Sequence, residues 1–149
     1  MYQKICVPID GSKAAYRALE EAVKLVKLTG DRLHVVHVVD LTQLNWIGAE
    51  VADQTVLQEA VDASAKSVLE HAEQILRASG VPFECRVIRS TGEKVAELLL
   101  DEVWDTGCGM IAMGTHGFSG LMHLLLGSVA EGVIRKSKVP VLLVHDAED

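Results

Sequence analysis

The sequence has only three cysteines among its 149 residues, Cys6, Cys85 and Cys108. They are odd in number and far apart, and no two form a Cys-x-x-Cys pair. This pattern argues against a disulfide framework and against a zinc site. We therefore expect buried, reduced thiols that pack as small hydrophobic side chains.

Positive charge and long apolar runs are scarce as well. The chain carries 14 Lys and Arg against 21 Asp and Glu, a net charge of −7, which opposes binding to nucleic acid. No apolar run approaches the roughly 18 residues that suggest a membrane span. Residues 1–10 lack the apolar region and cleavage site of a signal peptide. These absences predict a cytoplasmic protein without nucleic-acid or membrane partners.

The histidines do not form a recognisable metal site. His34 and His37 are three apart on a predicted strand, so their side chains point to opposite faces of the sheet. His71, His123 and His145 have no carboxylate or cysteine at ligand spacing. We predict no structural metal.

The composition and the periodicity of the chain indicate a globular α/β protein. A hydrophobic content of 49% and 23% charged residues are globular values, and 149 residues suit one domain, residues 1–149. Strands are predicted at 4–9, 33–39, 83–88, 109–113 and 139–145. Helices are predicted from Ser12 to 29, from about 51 to 79, from a capping box at 90–93 to 104, and from Ser128 onward. Five strands alternating with four helices predict an open, doubly wound parallel sheet flanked by the helices, with the 83–88 strand near an edge.

A glycine-rich stretch, residues 113–134, follows the fourth strand and holds five of the twelve glycines. In such a sheet, ligands bind beyond the carboxyl ends of the strands where the strand order reverses. Ser128 to Glu131 fits a capping box, so Gly127-Ser128 is a predicted helix N-terminus, which favours an anion. From these residues alone, a phosphate cradle and a simple tight turn are equally supported.

The spacing Gly114-x2-Gly117-x9-Gly127-Ser128 matches G-x2-G-x9-G-[S/T], the ATP-binding motif of the universal stress protein family. Other segments similar to this family are KICVPIDGS, HVVHVVD, MIAMGTHG and LLLGSVAEGVIRKSKVPVLLVH, so the resemblance covers nearly the whole chain. The sequence resembles the branch of the family that binds ATP. The resemblance implies a five-stranded sheet and a homodimer, and we expect the C-terminal strand to form its interface.

The resemblance also implies a set of binding residues for ATP, or for ADP or AMP, together with Mg²⁺. They line the nucleoside pocket (Pro8, Asp10, Val38 and Met113) or hold the ribose and phosphates (Gly114, Gly117, Gly127, Ser128 and Val129). Asp10 is expected near the ribose and Val38 is expected to meet adenine through its backbone. By its position alone, Asp10 can accept from sugar hydroxyls, coordinate Mg²⁺, or cap the helix at Ser12.

Several residues near the motif keep two interpretations. His116 can bind a phosphate or face solvent. Leu124 to Leu126 can form a helical turn on the sheet or a lid, and Trp46 can close over the nucleotide or cover the long helix. The sequence does not distinguish between these alternatives.

Three functions are compatible with this pattern: a nucleotide-dependent regulatory switch with slow or no hydrolysis, a genuine ATPase, and an adaptor with a vestigial site. The enzyme is disfavoured because the chain lacks the P-loop G-x-x-x-x-G-K-[S/T], a dinucleotide fingerprint after the first strand, and any Arg or Lys in the glycine loop before Arg135. The adaptor is disfavoured because the motif is complete. We predict the switch, with no catalytic residues and with an unknown downstream protein partner.

Overall fold

Strands and helices alternate along the chain in the computed structural model, which describes residues 1–41, 54–117 and 126–146. The described elements are β1 Lys4–Pro8, α1 Lys13–Thr29, β2 Arg32–Asp40, α2 Gln54–Ser79, β3 Phe83–Ser90, α3 Val95–Thr106, β4 Met110–Gly114, α4 Ser128–Lys136 and β5 Val141–Val144. The predicted alternation of five strands with four helices is confirmed. The predicted start of the long helix near 51 lies outside the described residues.

All five strands join one parallel sheet in the order β3-β2-β1-β4-β5. The chain runs outward from β1 to β2 and β3, and then crosses back over β1 to add β4 and β5. This is the predicted doubly wound sheet, with β3 at an edge as expected. The connections leaving β1 and β4 diverge at their carboxyl ends, which creates the crevice where such sheets bind ligands.

Two helices cover each face of the sheet. Alternate residues of β1 point to opposite faces: Ile5 and Val7 join the core beneath α1 and α2, whereas Cys6 joins the core beneath α3 and α4. Each fully buried large aliphatic side chain contributes about 1.5–3 kcal/mol relative to its exposed state. Because both faces are covered, the central strands are apolar at almost every position.

Helix α1 begins and ends where its sequence predicts. The Ser12 side chain accepts a hydrogen bond from the Ala15 N–H at 3.2 Å, and Gly30 closes the helix in the left-handed conformation with φ 77°. A hydroxyl at the N-cap and a glycine after the last turn satisfy backbone groups that the helix itself leaves unpaired.

Both predicted capping boxes are wrong. Ser90 ends β3, and α3 begins five residues later at Val95. Glu93 accepts the N–H of Thr91 at 2.8 Å, so this segment forms a turn between strand and helix and not a cap. At the start of α4, Gly127 occupies the N-cap position and Ser128 is the first helical residue, so the serine hydroxyl does not cap the helix.

Strand β5 is shorter than the predicted 139–145, since it spans Val141–Val144. The Ser137 hydroxyl donates to the Val139 carbonyl at 2.8 Å and accepts the Val139 N–H at 3.2 Å, which holds this segment in a turn. Pro140 follows and has no N–H to donate to a ladder.

None of the three cysteines forms a disulfide. Cys6 and Cys108 are buried, whereas Cys85 is half-buried. The expectation of a buried thiol is therefore wrong for Cys85, which lies on the edge strand β3. None of the described helices is long and apolar enough to span a bilayer.

Candidate functional site

The carboxyl end of β1 continues into a tight turn that positions Asp10. Gly11 has φ 87°, a conformation that favours glycine, and the turn leads directly into α1. The Asp10 carboxylate accepts the Ser12 N–H at 2.9 Å, so Asp10 orients the capping residue and is not itself the cap. Its side chain remains exposed at the sheet edge.

Asp10 reaches across the crevice to the loop that follows β4. A Cβ placed on Gly117 would run into the Asp10 Oδ2 atom. A side chain at position 117 would therefore displace the Asp10 carboxylate from its place beside the loop. The structure therefore brings together Asp10 and Gly117, which are 107 positions apart in the chain.

Gly127 brings the start of α4 against the same loop. Its N–H donates to the Thr115 carbonyl at 2.7 Å, and a Cβ on Gly127 would lie 3.2 Å from the Thr115 oxygen and 3.4 Å from the His116 Cα. Gly127 has φ −70°, which other residues also adopt. Glycine is favoured here because the loop and the helix approach closely, and not because the backbone is left-handed.

Gly114 has a different neighbour. A Cβ there would lie 2.8 Å from the Ala14 Cβ and 2.9 Å from the Ala14 carbonyl carbon. This glycine therefore lets the end of β4 pack on the first turn of α1. The packing of Gly114 on Ala14 was not predicted from the sequence. The small side chain of Ala14, just after the helix cap, was the available signal.

Two helix N-termini flank this crevice, because α1 follows β1 and α4 follows β4. The first N–H groups of a helix have no intrahelical acceptor and carry partial positive charge. Ser12 accepts one of them in α1, whereas Gly127 has no side chain to cap α4. The first turn of α4 therefore presents backbone donors that suit an anion.

The profile described as the Universal stress protein family matches residues 1–145. The chain belongs to this family. It is 32% identical over 153 residues to universal stress protein YxiE of Bacillus subtilis, an alignment that covers 97% of this chain and 100% of the relative.

Solved structures of other universal stress proteins have the same fold. The structure of MJ0577 from Methanocaldococcus jannaschii superposes with a TM-score of 0.85 at 30% identity and covers 100% of this chain and 99% of that one. A universal stress protein from Archaeoglobus fulgidus, solved in complex with dAMP, superposes with a TM-score of 0.67 at 26% identity and covers 96% and 98% of the two chains.

In this universal stress protein, the remaining predicted residues lie at or next to the same edge. Pro8 ends β1, Met113 is buried in β4, Ser128 is exposed at the start of α4, and Val129 is half-buried against the core beneath α3 and α4. Val38 lies one strand away, on β2, two residues beyond Val36, the partner of Pro8. The binding roles of the nine predicted residues stay predictions.

Thr115 is a residue of the site whose structural role the sequence analysis missed. It is completely buried, its N–H donates to the Val144 carbonyl at 3.1 Å, and its carbonyl accepts from Gly127. Its hydroxyl lies 3.2 Å from the His116 Nδ1. Thr115 thus joins the loop to β5 and to α4, and its place between Gly114 and Gly117 was the only local signal in the sequence. Both interpretations of the half-buried His116 stay open.

Lys13 is a second omission. It is the first residue of α1, directly after the capping Ser12, and it is exposed. The start of α1 reaches the same edge of the sheet as the loop after β4, although the two are distant in the sequence.

Some sequence predictions fall on residues that the structure does not describe. Trp46, His123, Leu124 and Leu125 lie outside the described ranges. Leu126 is half-buried and packs against the core beneath α3 and α4, which favours the packing interpretation for that residue. Within the described ranges, no group of three or more His, Cys, Asp or Glu side chains is arranged to hold a metal ion.

Proposed function

We propose that this universal stress protein binds ATP, or ADP or AMP, with Mg²⁺ at the carboxyl edge of β1 and β4, and acts as a nucleotide-dependent switch in a stress response. The observation that carries the proposal is the convergence of Asp10, the side-chain-free Gly117 and the uncapped start of α4 at Gly127. The dAMP complex of the Archaeoglobus fulgidus relative supports an adenine nucleotide as the ligand.

The proposed donors are sufficient for micromolar affinity. About four backbone N–H and hydroxyl donors to charged oxygens, at roughly 1.5–3 kcal/mol each, reach the order of 8 kcal/mol that a micromolar Kd requires. Burial of the adenine ring offsets the cost of ordering the nucleotide. The Asp10 carboxylate would repel phosphate oxygens directly, so it acts through a sugar hydroxyl or through Mg²⁺.

Slow hydrolysis follows from the charges around the proposed phosphate site. Fast phosphoryl transfer requires extra positive charge at the γ-phosphate and a group that orients water, and an arginine finger alone is worth about 10³–10⁵ in rate. Residues 114–117 and 126–128 include no arginine or lysine. Arg135 is at the far end of α4 and pairs with Glu131 at 2.7 Å. Lys13 provides one nearby cation, and a partner protein would have to supply the remaining groups.

The resident ligand is identified by mass spectrometry of the small molecules released from protein that was purified without added nucleotide. We expect an adenine nucleotide. If none is released and calorimetry detects no binding of added Mg·ATP, the adaptor with a vestigial site replaces this proposal.

Single-turnover kinetics distinguish the switch from an enzyme. We expect hydrolysis far slower than about 1 s⁻¹, the lower range of dedicated kinases. A rate of about 1 s⁻¹ or more in the isolated protein would make it an ATPase. Asp10→Asn is an informative variant, because its amide oxygen still accepts the Ser12 N–H while the charge is lost. The variant should keep its fold. If Asp10 acts through Mg²⁺, binding loses its Mg²⁺ dependence; if Asp10 accepts from a sugar hydroxyl, binding weakens and keeps that dependence.

The same proposal includes a homodimer formed through β5, a cytoplasmic location and an unknown downstream protein that recognises the nucleotide state. The position of β5 at the sheet edge supports the dimer, since an unpaired apolar edge strand invites association.

A further inference from the structure

Strand β2 extends beyond the carboxyl end of β1 at the edge of the proposed nucleotide site. On the side of β3, its ladder runs as far as Asp40, which pairs with Ser90. On the side of β1, the ladder stops at the pair formed by Pro8 and Val36. Residues 37–40 therefore have a strand neighbour on one side only, and on the other side they continue past the point where β1 ends.

The side chain of His37 ends the ladder between β1 and β2. The Ile9 N–H still donates to the Val36 carbonyl at 2.8 Å. A regular parallel ladder would continue with the Val38 N–H donating to the Ile9 carbonyl, but among the described residues no backbone hydrogen bond joins these two groups. The Ile9 carbonyl lies 2.7 Å from the His37 Nδ1 atom. Because a carbonyl oxygen can only accept, Nδ1 carries the hydrogen and donates it.

The imidazole thereby keeps β1 from pairing with the backbone groups of Val38. Alternate residues of a strand direct their N–H and C=O groups to the same neighbour, so those of Val38 point to the side of β1, as those of Val36 do. Since β1 ends at Pro8, both groups of Val38 are turned towards the proposed site. They offer a donor next to an acceptor. Adenine presents the N6 donor beside a ring acceptor, whereas guanine presents the acceptor O6 in place of that donor.

The same hydrogen bond fixes the point at which the chain leaves β1. Ile9 is 3% exposed, and both of its backbone polar groups are held by β2. The next residue is Asp10, whose carboxylate accepts the Ser12 N–H at 2.9 Å and faces Gly117 across the crevice. The His37 ring therefore also determines where the Asp10 carboxylate lies.

We propose that His37 is a positioning residue of the nucleotide site and makes the site selective for adenine. The inference rests on the proposed function, because it concerns the same ligand. Without the Nδ1 donor, the Ile9 carbonyl recruits the Val38 N–H, since a carbonyl in a buried segment is unfavourable without a donor. The ladder then lengthens by one pair, and the Val38 N–H is lost to the adenine ring.

Amide exchange in the wild-type protein tests the ladder directly. Without nucleotide, the Val38 amide should exchange fast, whereas the Val36 amide, which lies within the ladder, should exchange slowly. Mg·ADP should slow the exchange of Val38 and leave that of Val36 unchanged. The inference is overturned if the Val38 amide is already slow without nucleotide, or if it stays fast when Mg·ADP is bound.

Two variants separate the hydrogen bond from the rest of the side chain. In His37→Asn, the amide nitrogen takes the place of Nδ1 as the donor, whereas His37→Leu has no donor. We expect His37→Leu to raise the Kd of Mg·ADP about tenfold or more, to slow the exchange of the Val38 amide without nucleotide, and to reduce the preference for Mg·ADP over Mg·GDP. His37→Asn should stay close to the wild type in all three measurements.

His71→Leu is the matched control for the loss of a histidine ring. The His71 ring packs edge-on against Tyr16 with a centroid distance of 4.4 Å. Its removal should lower the melting temperature and leave the Kd of Mg·ADP unchanged. A merely structural role of His37 would give the same result, with a lower melting temperature and an unchanged Kd.

Calorimetry distinguishes a failure of this inference from a failure of the proposed function. If the wild type binds Mg·ADP and a folded His37→Leu binds it with the same Kd, only the role of His37 is overturned. If the wild type binds neither Mg·ATP nor Mg·ADP, the proposed function fails and the inference fails with it. The exchange pattern of the wild type decides the inference even if His37→Leu does not fold.

Discussion

At the scale of single residues, the three glycines of the motif each face a different neighbour. Gly114 faces Ala14 of α1, Gly117 faces the Asp10 carboxylate, and Gly127 faces the backbone of Thr115 and His116. Gly117 and Gly127 lie at the proposed phosphate site, and their binding roles, like that of Gly114, stay predictions. Gly114 has a packing role as well, because it lets β4 approach α1, so substitutions in one motif are expected to have two kinds of effect.

Gly127→Val should abolish nucleotide binding and leave the fold largely intact. Its φ of −70° is accessible to valine, but a Cβ 3.2 Å from the Thr115 oxygen, with methyl groups beyond it, would push the loop away from α4. Titration calorimetry with Mg·ATP measures the loss, and circular dichroism checks the fold. Unchanged affinity in a folded variant would remove Gly127 from the site.

The matched control is Gly114→Ala, whose Cβ would meet Ala14 at 2.8 Å. Overpacking of this kind costs about 1–3 kcal/mol. The melting temperature should fall in this variant, whereas the affinity of the folded fraction should change little.

The Asp31 carboxylate predicts how stability depends on pH. It accepts from the Met1 ammonium at 2.8 Å and from the Tyr2 and Gln3 N–H groups at 2.9 Å each. The Met1 ammonium, followed by the Tyr2 N–H, the Thr29 hydroxyl and the Gln3 N–H, holds the pKa of Asp31 far below its usual value against the effect of burial. A depressed folded-state pKa stabilises the fold above the unfolded value, about 3.9, and this contribution is lost as the pH falls below it.

Asp31→Asn should therefore destabilise the protein at pH 7 and do so progressively less as the pH falls from about 5 to 3. The measurement is the free energy of unfolding from urea titrations of both proteins across this range. A difference that stays constant with pH would exclude the carboxylate charge as the cause.

At the scale of elements, α3 is joined to the sheet by a charged cluster around the buried His34 and Glu102, which local sequence patterns do not predict. Glu102 of α3 is 5% exposed and lies 2.7 Å from His34 of β2 and 3.2 Å from Arg86 of β3. Glu84 lies 2.9 Å from the other ring nitrogen of His34. The cluster fixes α3 across two strands. Glu102 is 68 positions from His34 and 16 positions from Arg86 in the chain.

Glu102→Ala should destabilise the fold by about 3–5 kcal/mol, because it removes the buried carboxylate that pairs with the Nε2 atom of the buried His34. Glu97→Ala on the same helix is the matched control. Glu97 makes an exposed ion pair with Lys136 at 3.1 Å, and such pairs contribute about 0–1 kcal/mol. Denaturant titrations compare the two, and equal losses would contradict a structural role for the cluster.

At the scale of the whole molecule, β5 is an edge of the sheet, and none of the described strands pairs with its outer side. The carbonyls of Pro140 and Val144 accept from Ile111 and Thr115 at 3.0 and 3.1 Å. Along a parallel strand, the backbone groups of alternate residues point to the same neighbouring strand. The backbone N–H of Leu142 therefore also points to β4, whereas those of Val141 and Leu143 point towards the open edge.

The proposed dimer predicts a specific pattern of amide exchange. In the dimer, the amides of Val141 and Leu143 should exchange slowly, since the partner strand accepts them. The amides of Leu142 and Val144 face β4 in either state and are the internal control. Sedimentation at micromolar concentration should give the dimer mass, and a monomer in the presence of Mg·ATP would contradict the proposal.

The sequence by itself determined the elements of this protein and their class. Apolar runs of strand length, amphipathic helical periods, the Ser12 cap and the glycine spacing are local patterns, so five strands, four helices and the place of the glycine loop could be predicted. The positions of the two helix caps could not be predicted from local patterns. Residues 90–93 form a hydrogen-bonded turn instead of a cap, and Gly127 occupies the cap position before Ser128.

Only the tertiary structure decided which of these residues meet. The contacts of Asp10 with Gly117, Gly114 with Ala14 and His34 with Glu102 each join distant segments of the chain. Such contacts depend on the strand order β3-β2-β1-β4-β5 and on its register. Periodicity specifies which face of an element is buried, but it contains no information about which element will cover that face.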